Sequence, residues 1–302
     1  MTMRLTEAML AVFAALAAAG CSDRAPAPPD PGEIERRTER LEEVKARLAE
    51  LERAPASRAG ELLGHEDAWV RREAALRLEE IGPAARGELP ELFDALSDEE
   101  TRVCTAAARA LAAIGGEKVV DPLVGCLLDG RRKVRLWCWK GLHRLGEDVY
   151  ERLVFHLGFD SPYSDLLYED EAGHQHSIRG ELRDRLPLLG EGIVPYLIAA
   201  IEKEGQDMSA RVNSMRVLRF LGPEAREAIP LLVELTESDS QEIRFQAVVA
   251  LKHIGDLDPS VIPALRKAEK DPTDQVSRNA KRALEHLRKK AKSGPKRKRG
   301  KN

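Results

Sequence analysis

The sequence predicts an all-α chain: an α-solenoid of about seven helix pairs, with one further helix ahead of them. Three observations carry this expectation. An apolar frame recurs along most of the chain. The nine residues GPAARGELP, from Gly82 to Pro90, return as GPEAREAIP from Gly222 to Pro230. The composition, 43% hydrophobic and 33% charged with only 4% aromatic, is that of a helix-rich soluble protein.

The frame has an apolar residue at position 0, usually a small one at 4, Leu at 8, Ile or Leu at 11 and Gly at 12. It starts at Val70, Val103, Val134, Ile178, Ala210, Ile243 and Val276. Its glycines are Gly82, Gly115, Gly146, Gly190, Gly222 and Gly255, spaced by 33, 31, 44, 32 and 33 residues, with Arg288 in the seventh copy. A period this regular means stacked supersecondary units. Positions 0, 4, 8 and 11 fall on one face at about 100° per residue, so each frame is an amphipathic helix. The glycine suits a left-handed position that ends it. Leu89-Pro90, Val194-Pro195, Ile229-Pro230 and Ile262-Pro263 open the helix before a frame, since proline is tolerated in a first turn. GPAARGELP is therefore a corner, and the chain repeats it where it turns the same corner again.

The remaining elements follow in chain order. Residues 1–20 carry Arg4 and a 13-residue apolar run, Ala8 to Gly20, which is short for a bilayer span and suits a signal peptide. The run ends in AAGC, similar to a bacterial lipobox with Cys21 as the acylated residue; Ala18 stands where Leu is usual. Residues 21–32 then read as a Pro-rich tether. In 33–54, Ile34, Leu41, Val44, Leu48 and Leu51 repeat at heptad-like positions, which reads as a capping helix, with a short coiled coil as the alternative. The array is expected over 55–288 and a basic, disordered tail over 289–302. From 288 to the end there are nine Lys/Arg and no acid in a chain of net charge −3, so the body is more acidic than the whole.

The pattern V-R-x-x-A-x-x-x-L-x-x-I-G, with Arg71, Arg135, Arg179, Arg211 and Arg244 after position 0, and the corner G-P-x-A-x-x-x-[LI]-P, resemble HEAT repeats of the short bacterial kind, also called HEAT-like or phycobilisome-lyase-type repeats. The resemblance implies helix pairs in a right-handed superhelix whose second helices line an inner groove. It implies little about function, because such arrays bind many unrelated things.

Two places are candidates for function. The face of the second helices opposite their core, at frame positions 2, 6 and 9, collects Arg72, Arg109, Lys140, His143, Arg216, Arg219, Lys252, Arg278 and Arg282 against Glu79, Asp184 and Glu285. Phe245 lies among them as an apolar contact. The row is basic where the body is acidic, so an acidic protein or peptide is the expected partner. The second place is an insertion, 158–177, inside repeat four, with Tyr163, Tyr168, His174 and His176 as contact residues. His174 and His176 stand near Asp160, Asp165, Glu169, Asp170 and Glu171, but no third ligand is spaced to complete a metal site, so no metal and no cofactor are expected. Pro187 falls inside the second helix of that repeat and should kink it. Trp137 and Trp139 are expected to pack between repeats, and Cys104, Cys126 and Cys138 to form at most one internal pair.

No phosphate loop, nucleophile elbow or paired helix histidines are present, which lowers the case for an enzyme. The expected protein is a monomeric, lipid-anchored interaction scaffold facing the periplasm or cell exterior, without nucleic acid as its partner. The alternatives are an enzyme like the chromophore lyases that share this repeat type, or an anionic polymer or lipid bound through the basic tail.

Overall fold

The recurring frame is helical in all seven copies in the computed structural model, which describes residues 31–169, 173–203, 207–255 and 258–293. Residues up to Ala49 belong to a unit of their own, of which the described part is most of helix α1 (Pro31–Leu51). The second unit, from Glu50 on, holds the pairs α2 (Ala56–Leu62) and α3 (Ala68–Ile81), α4 (Leu89–Ala95) and α5 (Thr101–Ile114), and α6 (Val120–Gly125) and α7 (Arg132–Leu145). It continues with α8 (Tyr150–Phe155) and α9 (Ile178–Arg185), α10 (Val194–Glu202) and α11 (Met208–Leu221), α12 (Ile229–Leu235) and α13 (Gln241–Ile254), and α14 (Val261–Ala268) and α15 (Asp274–Ser293). Cys21, the expected leader and tether, Asp170, Glu171 and residues 294–302 lie outside the described residues.

Frame positions 0, 4 and 8 are buried in every repeat, from Val70, Ala74 and Leu78 to Val276, Ala280 and Leu284. Burying a side chain such as Leu111 contributes roughly 1.5–3 kcal/mol, so this column of apolar residues is the main source of cohesion. Position 11 is less regular: Ile114, Leu221, Ile254 and Leu287 are buried, while Ile81, Leu145 and Leu189 are half-buried. Second helices pack closely on their successors in repeats one to three and five to seven, but α7 barely meets α9 and α9 packs only lightly on α11; first helices touch theirs little.

The two nine-residue copies make the same corner. Each ends a helix at glycine, runs through a 3₁₀ segment (Gly82–Glu88 and Gly222–Ala228) and departs from helical geometry at the same alanine, Ala85 (φ −88, ψ 17) and Ala225 (φ −91, ψ 24). Gly82 and Gly222 have φ of 64° and 58° with ψ of −135° and −129°, so they sit outside the left-handed helical well that the sequence suggests. That extended, positive-φ region is nearly closed to other residues. Gly255 departs from the pattern, with φ −91° and ψ 23°.

The arginine after position 0 has a structural task. Arg71 Nη1 donates to the carbonyls of His65 and Glu66, Arg135 Nη1 to those of Asp129 and Gly130, and Arg244 Nη1 to those of Ser238 and Asp239. Each guanidinium thus satisfies the loop between the two helices of its own repeat. Arg71 and Arg244 also pair with Asp98 and Asp271 of the next repeat, both at 2.7 Å. Repeat two has Cys104 in this place. There Arg131, from the next repeat, donates to the carbonyls of Asp98 and Glu99 at 2.8 and 3.1 Å and to Cys104 Sγ at 3.2 Å.

Cys126 and Cys138 form a disulfide that ties the end of α6 to α7, and Cys104 is a free, buried thiol. Trp139 is buried, and Trp137 bridges repeats by taking Arg109 over its ring at 5.6 Å. Helix α15 continues through Ser293, past the point where the tail was expected to begin, because nothing after Leu287 stops it.

Candidate functional site

Repeat four departs most from the others. Pro187 follows α9, which ends at Arg185 after 8 residues where α3, α5, α7, α11 and α13 each have 14. The insertion carries a hairpin, β1 (Leu167–Glu169) with β2 (Gln175–Ser177), a small addition to an otherwise helical molecule. Tyr168 faces His176 across it, the rings stacked at 4.7 Å.

The insertion is fastened to the array by buried polar contacts that sequence reading did not find. His156 is fully buried. Burial, outweighing the neighbouring Asp121 carboxylate, pushes its pKa down, so the ring is neutral. The neutral ring donates from Nε2 to Asp121 Oδ1 at 3.2 Å and accepts at Nδ1 from the Ser161 hydroxyl at 2.8 Å. Arg152 also pairs with Asp121, and the Tyr163 hydroxyl donates to the Asp121 carbonyl at 2.8 Å. A Ser–His–Asp chain usually suggests hydrolysis. Here Ser161 is only 3% exposed, and its Oγ also accepts the Tyr163 N–H at 3.3 Å. The three groups act as a clasp.

This corrects the reading of the insertion. Tyr163 packs against His156 and over Gly125, where a Cβ would come within 3.0 Å of its ring. Tyr168 is buried and donates to Glu181 Oε1 at 2.9 Å; burial first, then Glu181, push its pKa to about 12. Both tyrosines face inward because their rings supply the apolar surface under the loop. His174 is exposed, and His176 is half-buried with Nδ1 3.5 Å from Glu181. Phe159, Leu166 and Leu167 are the outward apolar residues, at 59%, 51% and 61% exposure. Among the described residues no group of three His, Cys, Asp or Glu is placed to hold a metal ion.

The basic row divides into two halves. In the first, Arg72 pairs with Glu73, Arg109 pairs with Glu79 at 2.8 Å, and Lys140 lies 4.4 Å from the Trp137 ring centroid, with His143 exposed beyond them. In the second, Arg216 has only a distant carboxylate, Glu242 at 3.9 Å. Arg219, Lys252 and Arg282 make no ion pair among the described residues, and Arg278 makes a loose, exposed one to Asp274 at 3.8 Å. Phe245 is half-buried. Burial, then the charges of Arg216 and Arg183, push the Arg219 guanidinium below its ordinary value. Burial, then Lys252, Arg219, His286 and Lys290, do the same to His253. Like charges have thus been brought together on consecutive second helices.

At the upstream end of this patch lies a cavity of about 470 Å³ between α9, α11 and the insertion. Arg179, Gly180, Ser209 and Arg216 line it, with Phe159 and His176 from the insertion. The fold therefore joins one expected groove residue, Arg216, to one expected insertion residue, His176.

Three solved structures that resemble this chain share low identity with it. Human deoxyhypusine hydroxylase in complex with glycerol is 21% identical, over 80% of this chain and 88% of that one, with a TM-score of 0.36. The complex of CpcE and CpcF of phycocyanin lyase from Nostoc sp. PCC7120 is 18% identical, over 89% and 100%, with a TM-score of 0.34. A designed armadillo repeat protein in complex with the peptide (KR)4 is 16% identical, over 78% and 100%, with a TM-score of 0.31. No curated protein matches the chain. HEAT repeats match residues 56–142 and 194–285, more than half of the chain on either side of the irregular repeat. The chain belongs to the HEAT repeat family.

Proposed function

We propose that the protein is an interaction scaffold that binds an acidic protein or peptide along the second-helix face of repeats four to seven, held at the cell envelope by a lipid on Cys21. The observation that carries the first part is that Arg219, Lys252 and Arg282 make no ion pair among the described residues, and Arg216 has a carboxylate only at 3.9 Å. Positive charge with so few carboxylates beside it repels itself, a cost that a bound anionic chain would relieve. The face is basic in a chain of net charge −3. Export is supported by the apolar run ending at Cys21, and by the Cys126–Cys138 disulfide, a bond that persists in oxidising compartments.

Reversing Arg216 and Arg219 to Glu tests the binding face. Capture of the native partner should fall sharply while the helical circular dichroism stays that of the wild type. For the anchor, Cys21→Ser should remove incorporated labelled lipid and move the protein out of the detergent phase. A mutant that partitions as before would exclude the anchor.

A further inference from the structure

The cavity beside α9 exists because two rules of the repeat fail together in repeat four. Frame position 2, which carries Arg72, Thr105, Leu136, Val212, Phe245 and Arg278 in the other repeats, is Gly180. A Cβ there would meet only Ser177 Oγ, at 3.4 Å, so the glycine leaves room and avoids no clash. The second rule concerns the arginine after position 0. In repeats one, three and six it is fastened to loop carbonyls at 2.7–3.0 Å. In repeat four the insertion replaces that loop, and Arg179 makes only long contacts, 3.5 Å to Ser209 Oγ and 3.4 Å to the Ser164 carbonyl. Those lengths are at or past the limit of a useful hydrogen bond. Its guanidinium lies over the Phe159 ring at 4.2 Å, and no carboxylate is within ion-pair distance among the described residues.

The carboxylates that do line the cavity are engaged. Glu181 accepts from Tyr168 and Arg185, and Asp184 pairs with Arg183 at 3.0 Å. That leaves Arg179 and Arg216 facing one volume, with the Ser209 hydroxyl between repeats and Phe159 at the edge. A planar guanidinium with open N–H donors is suited to a carboxylate, which it grips with two parallel bonds. About 470 Å³ is room for a side chain or a chain end and too little for a folded partner.

We propose that this cavity is a carboxylate subsite, in which Arg179 and Arg216 hold one carboxylate of the bound acidic polypeptide while its apolar neighbour packs on Phe159. The subsite rests on the acidic-partner reading above. The carboxylate has two sources, an Asp or Glu side chain or the free end of the chain.

The test uses the full chain and a fluorescein-labelled peptide of alternating Glu and Leu, made with a free or an amidated C-terminus. Its Gln-for-Glu counterpart is the neutral control. Arg179→Gln removes the charge. Gly180→Leu fills the cavity without changing charge and raises helix propensity, so it remains folded. Lys252→Gln removes a cation of the patch outside the cavity. Each cavity variant should weaken the Glu peptide about tenfold, as loss of a hydrogen bond to a charged group does, and Lys252→Gln about twofold. If amidation abolishes the sensitivity to Arg179→Gln, the carboxylate is the chain end; if sensitivity persists, it is a side chain. Wild-type affinity in both cavity variants, with weakening in Lys252→Gln, would overturn the subsite and leave the binding face standing. No binding of any acidic peptide at low salt would overturn both.

Discussion

At the residue scale, the arginine after position 0 carries more of the fold than its exposure suggests. Arg131 shows this best, because it occupies from a neighbouring repeat the place that Cys104 leaves empty. Arg131→Ala should lower stability by about 1–3 kcal/mol, the range for losing charged hydrogen bonds to backbone acceptors. Adding Cys104→Arg to that variant should restore most of the loss in urea unfolding, and a double variant no more stable than the single would contradict the assignment. His156 makes a second residue-scale prediction. Its folded pKa is depressed by burial, so the unfolded chain binds the proton more readily. Stability should therefore fall as pH drops through about 6.5, the unfolded value, and keep falling until the folded pKa is reached. Urea midpoints at pH 7.5 and 5.5 check this, and His156→Gln should shrink the difference. The frame residues were legible because a leucine or glycine at a fixed offset leaves few alternatives. The Asp121–His156–Ser161 clasp was not, since Asp121 stands 35 residues before His156 and no local spacing marks the pair.

At the element scale, helix ends depend on backbone dihedrals. Gly146 has φ +71° and open space where a Cβ would stand, so Gly146→Ala isolates the dihedral cost, about 1–3 kcal/mol. Gly87 is equally open and has no positive φ, so Gly87→Ala should be neutral or slightly stabilising. Equal thermal shifts in the two variants would show that the corner does not depend on glycine. Pro187 marked the irregularity as a kink, but α9 ends outright at Arg185, as proline removes a donor and clashes with the preceding turn. The hairpin of the insertion was not legible, because Leu167–Glu169 and Gln175–Ser177 are too short for alternation to show. Nor was the cavity, which comes from a side chain that is missing at Gly180.

At the scale of the whole molecule, repeats four to seven make one face out of residues 30 or more positions apart. Arg183, Arg216 and Lys252 come from three successive second helices; the first two bear on Arg219, and Lys252 with Arg219 bears on His253. The periodic row was legible in sequence. What the sequence did not reveal is that Arg72 and Arg109 in the first half have acidic partners, while the second half has few. Half-buried cations of this kind are still partly screened by salt, over about 8–10 Å at physiological strength, so a face that works by charge must weaken as salt rises. The measurement is a titration of the full chain with the labelled Glu–Leu peptide at rising sodium chloride, for the wild type and for the Arg216→Glu, Arg219→Glu double variant. Affinity in the wild type should fall steeply with salt, and the double variant should bind weakly at every salt concentration. Salt-independent binding, or undiminished affinity in the double variant, would contradict a charge-based binding face.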